Sequence, residues 1–228
     1  MGDWAKLQRE LNFQFANLSL LQQAFVHRSY LNENPDCSLG SNERLEFLGD
    51  AFLGLVIAEA LYQQPEPLTE GEMTRIRSAI VCQESLAKLA SSLHLGDYLY
   101  LGQGEEKSGG RKRPRNLACA FEALIGAALV DRGIEATRNL ILRLFNHTLR
   151  RLVEEGIASD YKSRLQELVQ AERQERPVYQ LVAEEGPDHN RRFTVEVLVG
   201  GKVAGRGSGK SKQLAEKEAA RKALERWE

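Results

Sequence analysis

The chain has 228 residues, 42% hydrophobic and 28% charged, which fits an ordinary soluble protein with room for one medium domain and one small one. A formal net charge of -1 gives no sign of nucleic-acid binding through bulk charge. Three cysteines (Cys37, Cys82 and Cys119) without CxxC spacing argue for a reduced, intracellular setting and against a disulfide framework or a zinc site. No apolar run reaches the roughly 18 residues needed to span a bilayer, and residues 1–10 lack an apolar signal core. The expectation is a cytoplasmic protein with no membrane partner.

In chain order, apolar residues recur at three- and four-residue spacing over 18–26, 45–61, 73–93, 119–130 and 136–153, which predicts helices. Breaks are expected at Asn34-Pro35-Asp36, at Gln64-Pro65-Glu66-Pro67, and over the glycine-rich, basic stretch 102–114. Residues 1–154 thus read as an all-α domain, and 155–159 as a linker. From 160 onward the grammar changes. Asp160 is a candidate cap for a helix reaching about Gln174. Strands are expected at 177–182 and 193–199, with a hairpin at Gly200-Gly201 and a third strand ending near Arg206. A last helix is expected over 210–226. Residues 160–228 are therefore a small α+β domain of order α-β-β-β-α. Charge follows this division: residues 1–159 carry 17 basic and 20 acidic side chains, and residues 160–228 carry 14 and 12.

One stretch decides the chemistry, Asn42-Glu43-Arg44-Leu45-Glu46-Phe47-Leu48-Gly49-Asp50. Glu43, Glu46 and Asp50 stand at i, i+3 and i+7, on one face of a helix. Three acids on a helix face can simply be solvated. Here the rest of the helix is largely apolar, so burial is expected, and buried carboxylates must be paired or bind a metal. Hard divalent cations held by oxygen ligands would relieve the repulsion among them. Gly49 and Gly54 would let another helix approach closely. The run 119–129 is almost wholly apolar and contains one acid, Glu122. It either completes the carboxylate site or pairs with an arginine such as Arg44, Arg75 or Arg77.

The segment Asn42 to Asp50 resembles the signature of the ribonuclease III family. So do Ala24-Phe25-Val26-His27-Arg28-Ser29-Tyr30, Glu70-Gly71-Glu72-Met73-Thr74, Glu106-Lys107-Ser108-Gly109-Gly110 and Phe121-Glu122-Ala123-Leu124-Ile125-Gly126, in the family's order. The resemblance implies a nuclease that cuts both strands of double-stranded RNA with Mg²⁺, Mn²⁺ being able to substitute. It would leave 5′-phosphate and 3′-hydroxyl ends with short 3′ overhangs, in rRNA and mRNA processing. Glu46, Asp50 and Glu122 would be the metal-site carboxylates, with Glu43 as a further catalytic acid and Glu70 near the cleavage centre against the RNA. Phe47, read as pointing away from the acid face, either packs in the core or, as the resemblance implies, lies at a homodimer interface. No small-molecule substrate is implied. Four basic residues between 111 and 115, Arg111 among them, are either a solvated loop or phosphate contacts.

Cys119 stands where the family usually has an aspartate. A thiol is a poor Mg²⁺ ligand. The remaining carboxylates suffice, or the site prefers Mn²⁺ or is slow with Mg²⁺. The alternative is a double-stranded RNA-binding regulator with attenuated cleavage.

Residues 160–227 resemble a double-stranded RNA-binding domain. Tyr161 to Glu167 looks like its first helix, Gly186-Pro187-Asp188-His189 like its first loop, and Gly205-x-Gly207-x-Gly209-Lys210-Ser211-Lys212 like the approach to its last helix. Such domains read the shape of A-form RNA across successive minor grooves. The resemblance implies RNA contacts from Gln166, His189, Lys210 and Lys212. Gln213 and Glu216 occupy positions that are often lysine in that family, which points to modest, salt-dependent affinity.

Overall fold

The computed structural model describes residues 3–227 apart from 174 and 188–190; the side chains of 155–160 and 173 are also outside the description. The chain divides into two compact units, Met1–Thr148 and Leu149–Glu228.

The first unit is helical. It contains α1 (Trp4–Leu11), α2 (Leu18–Gln23), α3 (Arg28–Glu33), α4 (Glu43–Tyr62), α5 (Glu70–Val81), α6 (Gln83–Ser92) and α7 (Gln103–Lys107). The helix α8 (Pro114–Arg173) begins there, is interrupted at Gly133 (φ 74°, ψ -175°), and extends into the second unit. The expected linker, residues 155–159, falls within this span, and its side chains lie outside the described residues, as does that of Asp160. Among the described residues no helix is long and apolar enough to cross a membrane.

The core of the first unit is built on α8. From Ala120 to Ala128 every residue but Glu122 is buried, and Phe121 meets Phe145 edge-on at 5.8 Å. Leu53, Val56, Ile57 and Leu61 supply the buried face of α4.

Four expectations are corrected here. The helix expected over 73–93 is two helices, because Cys82 is extended (φ -68°, ψ 150°). The stretch 102–114 is not all loop: it holds α7 and a 3₁₀ turn, Gly110–Lys112. The helix α1 was not expected; Asp3 caps it and Leu7 and Leu11 bury its apolar side. The second helix, expected to reach 26, ends at Gln23: residues 24–25 form a turn, with Ala24 still helical (φ -57°, ψ -21°), and Val26 bridges Tyr100.

The second unit is an antiparallel sheet β1 (Val178–Glu185), β2 (Arg192–Val199) and β3 (Lys202–Gly209), followed by α9 (Lys212–Glu225). Gly200 and Gly201 both take positive φ (58° and 72°), as a two-residue hairpin requires. Val195, Val197 and Val199 point inward against Leu165 and Val169 of α8 and the alanine face of α9, Ala215, Ala219, Ala220 and Ala223. A Cβ on Gly207 would come within 2.2 Å of the Ala219 nitrogen, so β3 can lie this close to α9 only as glycine. The last helix starts at Lys212, with Ser211 Oγ accepting from Leu214 N, so Lys210 precedes it rather than forming its first turn.

Candidate active site

The acid-bearing helix is fixed at its start. Asn42 is buried; its backbone N–H donates to the Val26 carbonyl (2.9 Å) and its Nδ2 to the Ala24 carbonyl (3.3 Å). From there α4 runs against α8 with almost no space between backbones. An added Cβ on Gly49 would lie 1.8 Å from the Glu122 carbonyl oxygen, and one on Gly126 would lie 2.0 Å from the Leu45 carbonyl oxygen. This double glycine contact brings Glu46 of α4 beside Cys119 and Glu122 of α8. One ligand atom from each of the three lies within 4.8 Å of the others. Gly49 was expected to play this part and does. Gly54 does not, since a Cβ there would meet nothing within 4 Å.

The three open into a cavity of about 700 Å³, also lined by Asp50, Glu43, Phe47, His27, Arg28, Glu105, Arg113, Arg115 and Asn116. The acids are less buried than expected. Glu46, Cys119 and Glu122 are half-buried, while Glu43 and Asp50 are exposed. The reason is geometric: the apolar side of α4 faces the core and its acid side faces the cavity.

Among the described residues Glu122 has no arginine partner, so the ion-pair alternative for it fails. Desolvation first, then the charges of Asp50 and Glu46, push its carboxyl up to about 7. The Cys119 thiol is pushed up to about 12 by burial, then by its hydrogen bond to Glu46 and the charges of Glu46 and Glu122. At neutral pH it is a neutral thiol beside acids, not a thiolate.

The folded carboxyl of Glu122 titrates above its unfolded range near 4.5. The contribution of this group to stability is therefore fully present below that range and is lost as pH rises through about 7. In chelator, the native protein is expected to gain thermal stability between pH 8 and pH 5 relative to Glu122→Gln. Calorimetry of the pair across pH tests this; parallel curves would contradict it.

The other expected residues are placed as follows. Glu43 accepts from Ser41 Oγ (2.9 Å) and lies 3.9 Å from Arg28. Glu70 is exposed at the start of α5, accepts from Thr74 Oγ1 (2.9 Å), and does not line the cavity. Arg111 is engaged internally: Nη1 donates to the carbonyls of Gly96 (3.0 Å) and Leu99 (2.8 Å), and Nε to Glu106 (2.6 Å). Arg113 and Arg115, of the same basic stretch, reach the cavity instead. Phe47 is 80% exposed and borders the cavity, rather than pointing away from the acids. Gln166, Lys210 and Lys212 are exposed in the second unit, with Lys212 Nζ 5.8 Å from the Phe193 ring. His189 lies outside the described residues.

Sequence reasoning also missed Glu105 and Asn116. Asn116 Nδ2 donates to Glu105 Oε1 (2.7 Å) and to the Gly110 carbonyl (3.0 Å). That hydrogen bond, and the nearby Arg113, hold the Glu105 carboxyl below its usual range against desolvation. The one signal was an Asn two residues after a proline, which is too common to stand out.

A family model described as Ribonuclease-III-like matches residues 17–149, and one described as Double-stranded RNA binding motif matches residues 161–226. The chain is 50% identical over 228 residues to a Ribonuclease 3 of Dehalococcoides mccartyi, covering 100% of this chain and 96% of that protein. It is 43% identical over 227 residues to the Ribonuclease 3 of Listeria innocua, covering 98% and 97%. Among solved structures, the nuclease domain of ribonuclease III from Campylobacter jejuni is 38% identical with a TM-score of 0.59, covering 65% of this chain and 97% of that one. A second structure of that domain, 39% identical with a TM-score of 0.57 (62% and 95% covered), concerns structural flexibility in a region involved in dimer formation.

Proposed function

Because the chain belongs to the ribonuclease III family, we propose that its first unit cuts both strands of duplex RNA with a divalent cation held by Glu46, Asp50 and Glu122. The observation that carries this is the meeting of acids from two helices in one open cavity, with basic side chains on its wall. The residues fit a cation. Burial first, then the charges of Asp50 and Glu46, push Glu122 up to about 7, no arginine among the described residues offsets them, and oxygen donors suit hard ions. Magnesium is the ion proposed, with manganese able to substitute. A bound cation supplies a water acidic enough to attack at neutral pH, and it offsets charge on the leaving oxygen.

The chain's own residues do the rest. Glu46 and Glu122 bind, with Asp50 at the mouth. Glu43 is placed as a further acid at the rim, its carboxylate oriented by Ser41. Arg28, Arg113 and Arg115 position the phosphates. In the second unit, Gln166, Lys210, Lys212 and His189 are assigned to the RNA backbone and minor groove. Cutting is proposed to leave 5′-phosphate and 3′-hydroxyl ends with short 3′ overhangs. The setting proposed is the cytoplasm, in processing of rRNA and mRNA. End analysis tests the chemistry: product 5′ ends should accept label from a kinase only after phosphatase treatment. Ends that label directly would overturn it.

A homodimer completes the reading, since one cavity serves one strand. Leu48, Leu55 and Tyr62 recur every seven residues along α4 and are exposed, the last two by 62% and 80%; Phe47 lies beside them. An exposed apolar stripe of this kind favours association. Leu55→Glu is expected to convert a dimer into a folded monomer, read by light scattering. A dimer unchanged by the substitution would contradict this use of α4.

A further inference from the structure

We propose that Cys119 gives this cavity a second cation class: with Glu46 and Glu122, its Sγ takes a borderline or soft divalent cation such as zinc, cobalt or cadmium, in competition with magnesium. The inference rests on the reading of this cavity as the nuclease centre.

The geometry comes first. Around a four-coordinate zinc with bonds of about 2.0–2.3 Å, neighbouring ligand atoms stand about 3.3–3.8 Å apart. Here Cys119 Sγ and one oxygen each from Glu46 and Glu122 already lie within 4.8 Å of one another. Small rotations of three half-buried side chains close that gap. Cys119 and Glu122 share one face of α8 at i, i+3. Glu46 is held opposite by the glycine contact between α4 and α8. Among the described residues this is the one group of His, Cys, Asp or Glu that meets this spacing. The open cavity leaves room for water as a fourth ligand.

The donor chemistry points the same way. Magnesium demands oxygen ligands in near-octahedral array. Sulfur selects softer ions, and a thiol that coordinates such an ion loses its proton outright. As the sulfur–metal bond forms, the Sγ proton passes to solvent. Three anionic ligands then surround one dication. Both ion classes need Glu46 and Glu122, so their binding is mutually exclusive. Soft cations should therefore switch off magnesium-supported cleavage, and do so at lower concentration than in a chain with aspartate at 119.

The test is a cobalt(II) titration of the full-length protein without magnesium, following thiolate-to-cobalt charge-transfer absorption in the near ultraviolet. The expected result is a band that saturates at one ion per chain and is bleached by zinc. It should persist in Cys37→Ser and Cys82→Ser and vanish in both Cys119→Ser and Cys119→Asp. Cys119→Asp should still bind cobalt, read by calorimetry, which separates loss of the sulfur ligand from misfolding. Absence of the band in the native protein, or its persistence in Cys119→Ser, would overturn the proposal. Cleavage in magnesium alone, run alongside, keeps the two readings apart. Cutting without a band removes the sulfur ligand and leaves the nuclease. A band without cutting in magnesium or manganese keeps the ligand set and removes the nuclease.

Discussion

Glu122→Gln is expected to reduce duplex cleavage by at least about 10²-fold, through kcat, while duplex binding stays nearly unchanged. The substitution preserves shape but removes a charge from the one acid that rises from the apolar face of α8. That charge has no role in the fold: among the described residues it has no ion-pair partner, and burial first, then its neighbours Asp50 and Glu46, oppose its ionisation. A carboxylate kept at this cost is explained by a cation that needs it. Binding should survive because the RNA contacts proposed for the second unit, which matches a double-stranded RNA binding motif, do not involve Glu122. The comparison is single-turnover cleavage against retardation of the same duplex in chelator. A variant that cuts within a few-fold of the native rate would remove Glu122 from the catalytic set. Glu70→Gln is expected to cost much less, since Glu70 stands outside the cavity.

Gly49→Ala should be the most damaging single-methyl change in the first unit. Its Cβ would sit 1.8 Å from the Glu122 carbonyl oxygen and 2.8 Å from the Gly126 nitrogen, and neither backbone atom can turn aside. The helices must separate, at a cost of about 1–3 kcal/mol or more. The loss of activity should exceed the loss of stability. Glu46 and Asp50 ride on α4, Cys119 and Glu122 on α8, and a displacement of about 1 Å can cost about 10²-fold in rate. Gly54→Ala is the control. Its Cβ meets nothing within 4 Å, so it should be neutral or stabilising by up to about 1 kcal/mol through helix propensity. Thermal melts and cleavage rates of the two variants distinguish the cases; equal behaviour would contradict the close-approach account.

Much of the site was legible because helix periodicity is local. The spacing of Glu43, Glu46 and Asp50 puts them on one face whatever surrounds them, and an acid alone in the apolar run 119–129 marks itself. What periodicity cannot supply is the partner across the gap. Gly126 is one small residue in an apolar run, and only the contact with Leu45 gives it meaning. The basic loop shows the same limit. Composition gathered Arg111, Arg113 and Arg115 together. Only the fold sends Arg111 to the carbonyls of Gly96 and Leu99 and the other two to the cavity. In the second unit the strands and hairpin followed from alternation and from Gly200-Gly201. The helix α1 escaped because eight residues with two buried leucines are too few for a period to declare itself. Burial was overestimated for Asp50 and Glu43, since an apolar helix can still turn one face to an open cleft.

The most direct measurement of the central claim is cleavage of an end-labelled RNA duplex by the purified protein in Mg²⁺, in Mn²⁺ and in chelator. The account predicts staggered cuts on both strands in either metal and none in chelator. Duplex that is retarded but left intact in both metals would contradict it, and would mark the chain as an RNA-binding protein whose cavity Cys119 has disarmed.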